Sequence, residues 1–477
     1  MRGVAVGKQP HVPHRKMWDS SQQASSVLEL VGGTPLLRVQ RLETGPCELY
    51  LKLESQNPGG SIKDRIACAM VEAAERSGLQ PGGLLVEATA GNTGLALALV
   101  AAQKSYRLRI VVPDKMSQEK IFHLKALGAE VELTRSDVRK GHPEYYQDLA
   151  AAIAAKTPGA WYVNQFANPA NPAAHEASTG PEIWRQMRGA LDAVVCGVGT
   201  GGTITGLSRF FARVSPATEI VLADPEGSVV APFVNRGALP KDIGSWQVEG
   251  IGEDFIPPVC DLSRVRRAYS IPDREAFGAI RELLRKEGIL AGTSSGTLLA
   301  AALRYCREQK LRKRVVSLVC DSGNKYLSKV YNDYWMVDQG FIERPKCGDL
   351  RDLIARRHSE HAVATVDAEE TVLAALQRMK LHDVSQLPVM REGRIAGLVT
   401  EEDILMEVAG NPAHFAEPVA AAMESRLVTV APQAPVEELL RIFDRGLVAI
   451  VVERGEFLGL ITRIDLLNWL RGRTAQR

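Results

Sequence analysis

A lysine stands in this sequence where a helix gains little from one. The segment Ser55-Gln-Asn-Pro-Gly-Gly-Ser61-Ile-Lys63-Asp64-Arg65 is a turn-rich loop opening a helix. Ser61 suits the N-cap, and Asp64, three residues on, its capping partner. A cation in the first helical turn faces the positive end of the dipole, which disfavours the charged form. Lys63 therefore reads either as a solvated surface residue or as an amine biased toward the neutral state that a Schiff base requires. A second segment, Glu87-Ala-Thr89-Ala90-Gly91-Asn92-Thr93-Gly94, follows the apolar Leu84-Leu85-Val86 and precedes a long Ala/Leu helix. Its small residues let the amides of residues 89–93 approach a carboxylate or a ring hydroxyl at a helix N-terminus; an ordinary strand-to-helix turn would use the same residues.

The third segment, Val194-Val195-Cys196-Gly197-Val198-Gly199-Thr200-Gly201-Gly202-Thr203, runs an apolar strand into a glycine-rich turn and a helix beginning near Ile204. Bare amides, with the Thr200 and Thr203 hydroxyls, would cradle a terminal phosphate dianion. A rival shares these residues. Gly197, Gly199 and Gly202 satisfy G-x-G-x-x-G, and Asp224 follows at a spacing of about 20 residues at the end of the next apolar strand, so on this segment alone a nicotinamide dehydrogenase stands. The fourth segment, Cys320-Asp321-Ser322-Gly323-Asn324, would place Ser322 at the carboxyl end of a parallel sheet, where ligands gather. A dehydrogenase has no use for the Lys63 and Asn92 loops, and paired threonines suit a phosphate monoester better than a bridging pyrophosphate. Four loops with one consistent job outweigh one loop with two.

These loops need rigid elements beneath them. Up to about residue 340, short apolar runs alternate with amphipathic stretches: strands over 108–112 and 130–134, helices around 118–127 and 149–155. That alternation predicts an α/β fold with parallel sheets covered by helices, in two lobes that share a cleft. Residues 1–25 read as a polar arm and 26–341 as the first module. A polar segment at Glu343-Arg-Pro345-Lys marks a linker over 342–350. Beyond it the chain repeats itself: Gly393-Arg-Ile-Ala-Gly-Leu-Val-Thr400-Glu-Glu-Asp403-Ile-Leu matches Gly455-Glu-Phe-Leu-Gly-Leu-Ile-Thr462-Arg-Ile-Asp465-Leu-Leu position for position. Two β-α-β-β-α units, over 351–411 and 412–477, are each too small to bury a sheet alone and should pack face to face.

At 477 residues with 45% hydrophobic content the chain supports more than one core. A net charge of +2 gives no case for a nucleic-acid or membrane-surface partner. Seven scattered cysteines without C-x-x-C or metal-ligand spacing fit reduced thiols in the cytoplasm and no metal site. No apolar run reaches the roughly 20 residues that cross a bilayer, and the start lacks a signal-peptide core.

The four segments, in this order, resemble the fold-type II pyridoxal-phosphate family of cysteine synthases and cystathionine β-synthases. The likeness spans residues 26–341. It implies that Lys63 forms the Schiff base, that Asn92 bonds the ring 3-hydroxyl, and that Gly199, Thr200, Gly201, Gly202 and Thr203 hold the phosphate of pyridoxal 5'-phosphate. Ser322 would meet the pyridine nitrogen, where a neutral hydroxyl makes the ring a weaker electron sink than an aspartate would and so favours elimination over transamination. Thr89, Ala90, Gly91 and Thr93, with Gln165, would grip the substrate carboxylate. Val248-Glu249-Gly-Ile-Gly252 points to the cystathionine β-synthase branch, with Glu249 catalytic; the tail resembles the paired CBS domains that usually follow that module. The implied activity condenses serine with homocysteine, a transsulfuration step with hydrogen sulfide as a possible by-product. Alternatives are a cysteine synthase and a binding protein that senses adenosyl ligands with an inactive catalytic module. In the repeats, Thr400 and Asp403 with Thr462 and Asp465 would bond the ribose of an adenosyl ligand, or simply start helices in a packing module. A homodimer or higher homo-oligomer is implied. Three residues depart from the pattern: Ala90 stands where serine is common, and Phe166 and Glu253 where animal enzymes carry tyrosine. Animal forms also bind haem through an N-terminal cysteine and histidine; the arm here offers His11 and His14 with no cysteine before Cys47, so no haem is expected.

Overall fold

The structure, a computed structural model, describes residues 23–474 apart from 90, 115–117 and 140. The arm with His11 and His14, and Ala90 of the second segment, lie outside the described residues. The chain divides into two compact units, Met1–Val330 and Tyr331–Arg477. The division falls ahead of the polar segment that composition marks, so the short helix Asp333–Asp338 belongs with the second unit.

In the first unit, apolar runs become strands because helices cover the sheets on both faces. Leu84–Ala88 is buried at every position, as parallel strands between helix layers are. The strands expected at 108–112 and 130–134 are Arg107–Pro113 and Glu130–Thr134, and the two helices are Gln118–Ala126 and Tyr146–Lys156. One sheet has four parallel strands in the order Glu130–Thr134, Arg107–Pro113, Leu84–Ala88, Ala160–Tyr162. The other has six, in the order Leu36–Arg38, Glu48–Leu53, Arg314–Val319, Ala193–Gly197, Glu219–Pro225, Val265–Ile271, and only its first pair is antiparallel. Three of the four chemical segments follow directly from the carboxyl ends of Leu84–Ala88, Ala193–Gly197 and Arg314–Val319; the Lys63 loop follows Glu48–Leu53.

The second unit holds the repeats. Each builds a three-stranded sheet with a short parallel strand and an antiparallel hairpin, Gln386–Arg391 with Arg394–Thr400 and Ala449–Glu453 with Glu456–Ile461. Met390 from one copy and Ile450 and Phe457 from the other share one buried cluster, the mutual cover that two incomplete units need. No helix among the described residues is long and apolar enough to cross a membrane.

Under the catalytic loops lies a closed set of buried charges. Arg65 sends Nε and Nη2 to the two Glu54 oxygens at 2.7 and 2.8 Å, and Nη1 and Nη2 to those of Glu182 at 2.8 and 2.7 Å. Lys52 Nζ donates to Glu182 Oε2 at 2.7 Å, Thr34 O at 2.6 Å and Gln186 Oε1 at 2.9 Å. Two cations and two anions balance, and they tie the strand Glu48–Leu53 and the helix Gly180–Gln186 to the helix Lys63–Arg76, two residues from Lys63. Burial works against the Glu54 carboxylate, but the charge and hydrogen bonds of Arg65 override it and hold the group down at about 2. Its contribution to stability is thus present above the ordinary carboxylate range and is lost only as the pH falls toward that value. Arg65→Met strands the buried Glu54 carboxylate and leaves Glu182 to Lys52 alone, and should cost about 3–5 kcal/mol, read as a lower denaturation midpoint; an unchanged midpoint would show the network to be dispensable.

Candidate active site

The expected cap on the Lys63 helix is not the one that forms. The helix Lys63–Arg76 has Ile62 at its N-cap with no side-chain cap bond; Ser61 Oγ accepts from Lys63 N at 3.2 Å. The Asp64 carboxylate accepts instead from Gly59 N, because the glycine loop folds back over the first turn and brings that amide closer than the one at Ser61. The loop itself is zipped to the fourth segment. Ile62 N donates to Cys320 O at 2.8 Å and Ser322 N to Gly60 O at 3.1 Å, while Gly292 N donates to Asp321 O at 3.0 Å and Gly323 N to Leu290 O at 3.1 Å. Gly292 is required there, since a Cβ on it would stand 1.9 Å from Asp321 Oδ1.

In this frame Lys63 Nζ has no hydrogen-bond acceptor among the described residues. Burial pushes its amine down, and Cys320, Asp321 and Glu253 only partly offset that. Burial raises all three of these acids: it lifts the Cys320 thiol to about 12, with the neighbouring Asp254 and Asp224 it lifts Glu253 to about 8, and it pushes Asp321 above the usual carboxylate range. Burial thus biases the amine toward its neutral form.

The glycine turn after Ala193–Gly197 meets the helix Gly202–Val214 at its positive end. Gly201 has φ +82°, and a Cβ on Gly202 would lie 1.8 Å from Asn171 Oδ1. Thr200 Oγ1 accepts from Asn171 Nδ2 at 2.9 Å, which leaves its own proton for a ligand. Thr203 Oγ1 lies 3.2 Å from His175 Nε2, and His175 Nδ1 lies 2.9 Å from Thr179 Oγ1. Burial pushes His175 down to about 3, so the ring is neutral and adds no charge. Bare amides, two oriented hydroxyls and a helix start, near an uncharged amine, fit a phosphorylated aldehyde such as pyridoxal phosphate.

The second segment is more committed than its small residues suggest. Thr89 N is spent on Val111 O and Gly91 N on Thr89 Oγ1, so among the described residues the amides of Asn92 and Thr93, in the first turn of the helix Asn92–Lys104, remain to face a ligand. Thr93 Oγ1 donates to Gln165 Oε1 at 2.6 Å, which leaves the Gln165 amide N–H groups for a carboxylate. Gln165 O in turn accepts from Asn171 Nδ2 at 2.9 Å, so this loop and the glycine turn are set by one buried relay.

Asn92 donates to Asp321 Oδ2 at 2.8 Å and accepts from Lys325 Nζ. Ser322 accepts from Asn324 N at 3.3 Å and lines an outer cavity of about 560 Å³ with Asn92, Lys120, Glu249 and Lys325. A second hydroxyl lies deeper: Ser294, 4% exposed in the first turn of the helix Thr293–Arg307, is bonded to the Cys320 thiol, which itself senses Lys63. The Glu249 carboxylate sits between Lys120 and Lys329, at 2.8 Å from the latter. Burial opposes its charge, yet the Lys120 charge and both hydrogen bonds hold it below the usual carboxylate range. A carboxylate in that state at neutral pH carries no proton; it acts by charge. Sequence reading missed Lys120, Asn171, His175, Ser294 and Lys325, which lie far along the chain from the motifs they serve and carry no local signature.

Two expectations meet direct structural answers. Asp224, which a dinucleotide fold would present to a ribose, is fully buried, accepts from Ala231 N at 2.8 Å and is pushed up by burial to about 6. In the repeats, Thr400 and Asp403 form a capping box, and Asp465 Oδ2 accepts from Thr462 N at 2.7 Å and Thr462 Oγ1 at 2.6 Å. Both carboxylates are engaged by their own helix starts.

The family described as pyridoxal-phosphate dependent enzyme matches residues 27–321, and the CBS domain matches 351–410 and 419–472. A cystathionine beta-synthase of Dictyostelium discoideum is 36% identical over 93% of this chain and 92% of its own. Cysteine synthase B of Escherichia coli is 41% identical over 64% of this chain and 95% of its own. A hydrogen sulfide-producing enzyme from Fusobacterium nucleatum superposes with a TM-score of 0.59 at 37% identity, covering 64% of this chain and all of that one. With a buried lysine whose amine is pushed down, a glycine turn at a helix start, and a relative that matches 93% of its length, the chain belongs to the pyridoxal-phosphate-dependent enzymes of the cystathionine β-synthase and cysteine synthase family, with a tandem CBS-domain pair after the catalytic module.

Proposed function

We propose that the first unit catalyses β-replacement on serine, joining homocysteine to its β-carbon to give cystathionine and water. The observation that carries this is the desolvated, acceptor-free amine of Lys63 in a frame made by three loops. When bound, pyridoxal phosphate supplies an aldehyde for amine exchange and a ring that takes up the electron pair released at the α-carbon. Lys63 would hold the cofactor through its amine and, when that amine is free, would take the α-proton of the substrate. Residues 199–203 would hold the phosphate. Asn92 would meet the ring hydroxyl, and Ser294 or Ser322 a ring nitrogen, with Ser294 the more buried of the two. Gln165 and the Asn92 and Thr93 amides orient the substrate carboxylate. Departure of the β-hydroxyl as water opens the β-carbon to the thiolate sulfur, and Glu249, with its two lysines, sets the charge that the second substrate meets. The reading includes no haem, because the sequence before Cys47 offers His11 and His14 but no cysteine.

For the repeat pair we infer an adenosyl ligand, supported by the match to CBS domains; the paired threonine and aspartate side chains would have to exchange helix-cap bonds for ribose bonds.

Lys63→Ala should abolish both turnover and the visible absorbance change on adding serine; full turnover would end the assignment. Glu249→Gln should lower cystathionine formation by about tenfold or more, with a smaller effect on cysteine formation from O-acetylserine and sulfide, since a charged hydrogen bond is worth about 1.5–3 kcal/mol. Equal losses in the two assays would count against the cystathionine branch. Calorimetry with S-adenosylmethionine, AMP and ATP should give heat with at least one; silence from all three would leave the repeats as a packing module.

A further inference from the structure

The outer cavity contains a lysine with no ion partner among the described residues. Among its lining groups, Lys120 is paired with Glu249, which Lys329 also contacts. His123 is pushed down by burial and by the charge on Lys325, so it is neutral. Lys325 is different. Its Nζ donates to Asn92 Oδ1, a neutral acceptor, and it forms no salt bridge among the described residues. The carboxylates that it senses are engaged elsewhere: Asp321 Oδ2 accepts from Asn92 Nδ2 and from Tyr326 OH, each at 2.8 Å, and Asp64 accepts from Gly59 N. Burial raises both of those acids, and burial together with Lys120 pushes Lys325 down. An ammonium desolvated beside a cavity without a full counter-charge is stabilised by an incoming anion.

We propose that Lys325 receives the carboxylate of the second substrate, so that the cavity selects a thiol carrying its own carboxylate over bare sulfide. The inference rests on the β-replacement reading above and names the acceptor class at the same site. The cavity, at about 560 Å³, is far larger than a sulfide ion needs and is of the size that takes an amino acid. Glu249, on the same wall, is already shared by Lys120 and Lys329, so Lys325 is the lining lysine left without an ion partner among the described residues.

The test uses the loaded full-length enzyme and Lys325→Met, with serine as first substrate and homocysteine, mercaptoethanol or sulfide as acceptor. The KM for homocysteine should rise by about ten- to a hundredfold, the loss of one charged hydrogen bond. The KM for serine, mercaptoethanol and sulfide should change far less than the KM for homocysteine, so the readout is the ratio between acceptors. Lys325→Arg should recover most of the homocysteine KM. Equal KM rises for all three acceptors, or a shifted resting spectrum, would show that Lys325 acts through Asn92 on the cofactor and would overturn the proposal. Wild-type turnover with homocysteine that the substitution leaves untouched overturns this proposal alone. Wild-type turnover with sulfide and none with homocysteine overturns it together with the reading on which it rests.

Discussion

Desolvation of a single amine governs the catalytic unit. An ammonium moved from water into a cleft must find acceptors or release its proton, because the charged form suffers most from lost solvation. Two lysines close together in this chain show the two outcomes. Lys52, fully buried, reaches a carboxylate, a carbonyl and an amide oxygen, and serves the fold as a cation. Lys63, eleven positions on in the sequence shown, reaches none, and the acids around it are themselves pushed toward their neutral forms. The same side chain is a structural tie in one place and, on the proposed reading, a nucleophile in the other.

Holding a neutral amine in place requires stiffness that the amine cannot provide for itself. The Gly60–Ile62 stretch is fixed by backbone bonds to Cys320 and Ser322, and the helix behind Lys63 by the Arg65 charge network. The buried relay Thr93–Gln165–Asn171–Thr200 then sets the carboxylate grip and the phosphate turn against each other. Such polar networks do little for net stability compared with well-packed apolar groups, but they specify one arrangement. That is what a site assembled from the ends of several strands needs.

The backbone-driven parts of this design were legible in the sequence. The strand at 130–134 and the glycine turn at 199–203 follow from apolar alternation and from positions where no side chain fits, and the repeat follows from direct self-similarity. Side-chain partnerships were not. Asp64 was expected to cap Ser61 and instead accepts from Gly59, since the fold of the loop, not the spacing, decides which amide is near. Gly91 offered an amide to a ligand on paper but gives it to Thr89. The two lysines that hold Glu249 come from distant parts of the chain and carry no local signature. Ser294 and Lys325 gave no signal at all, because a serine in a helix start and a lysine in a short turn are each commonplace until the fold brings them to the cleft.

The most direct measurement is the position of the covalent bond to the cofactor. Reduction of the freshly purified, pyridoxal-phosphate-loaded protein with borohydride, followed by proteolysis and peptide mass spectrometry, should place the phosphopyridoxyl group on the peptide containing Lys63, with Lys52 and Lys325 unlabelled. A label on either of those lysines, or none anywhere in a protein that has taken up the cofactor, would contradict the claim that one desolvated amine organises the site.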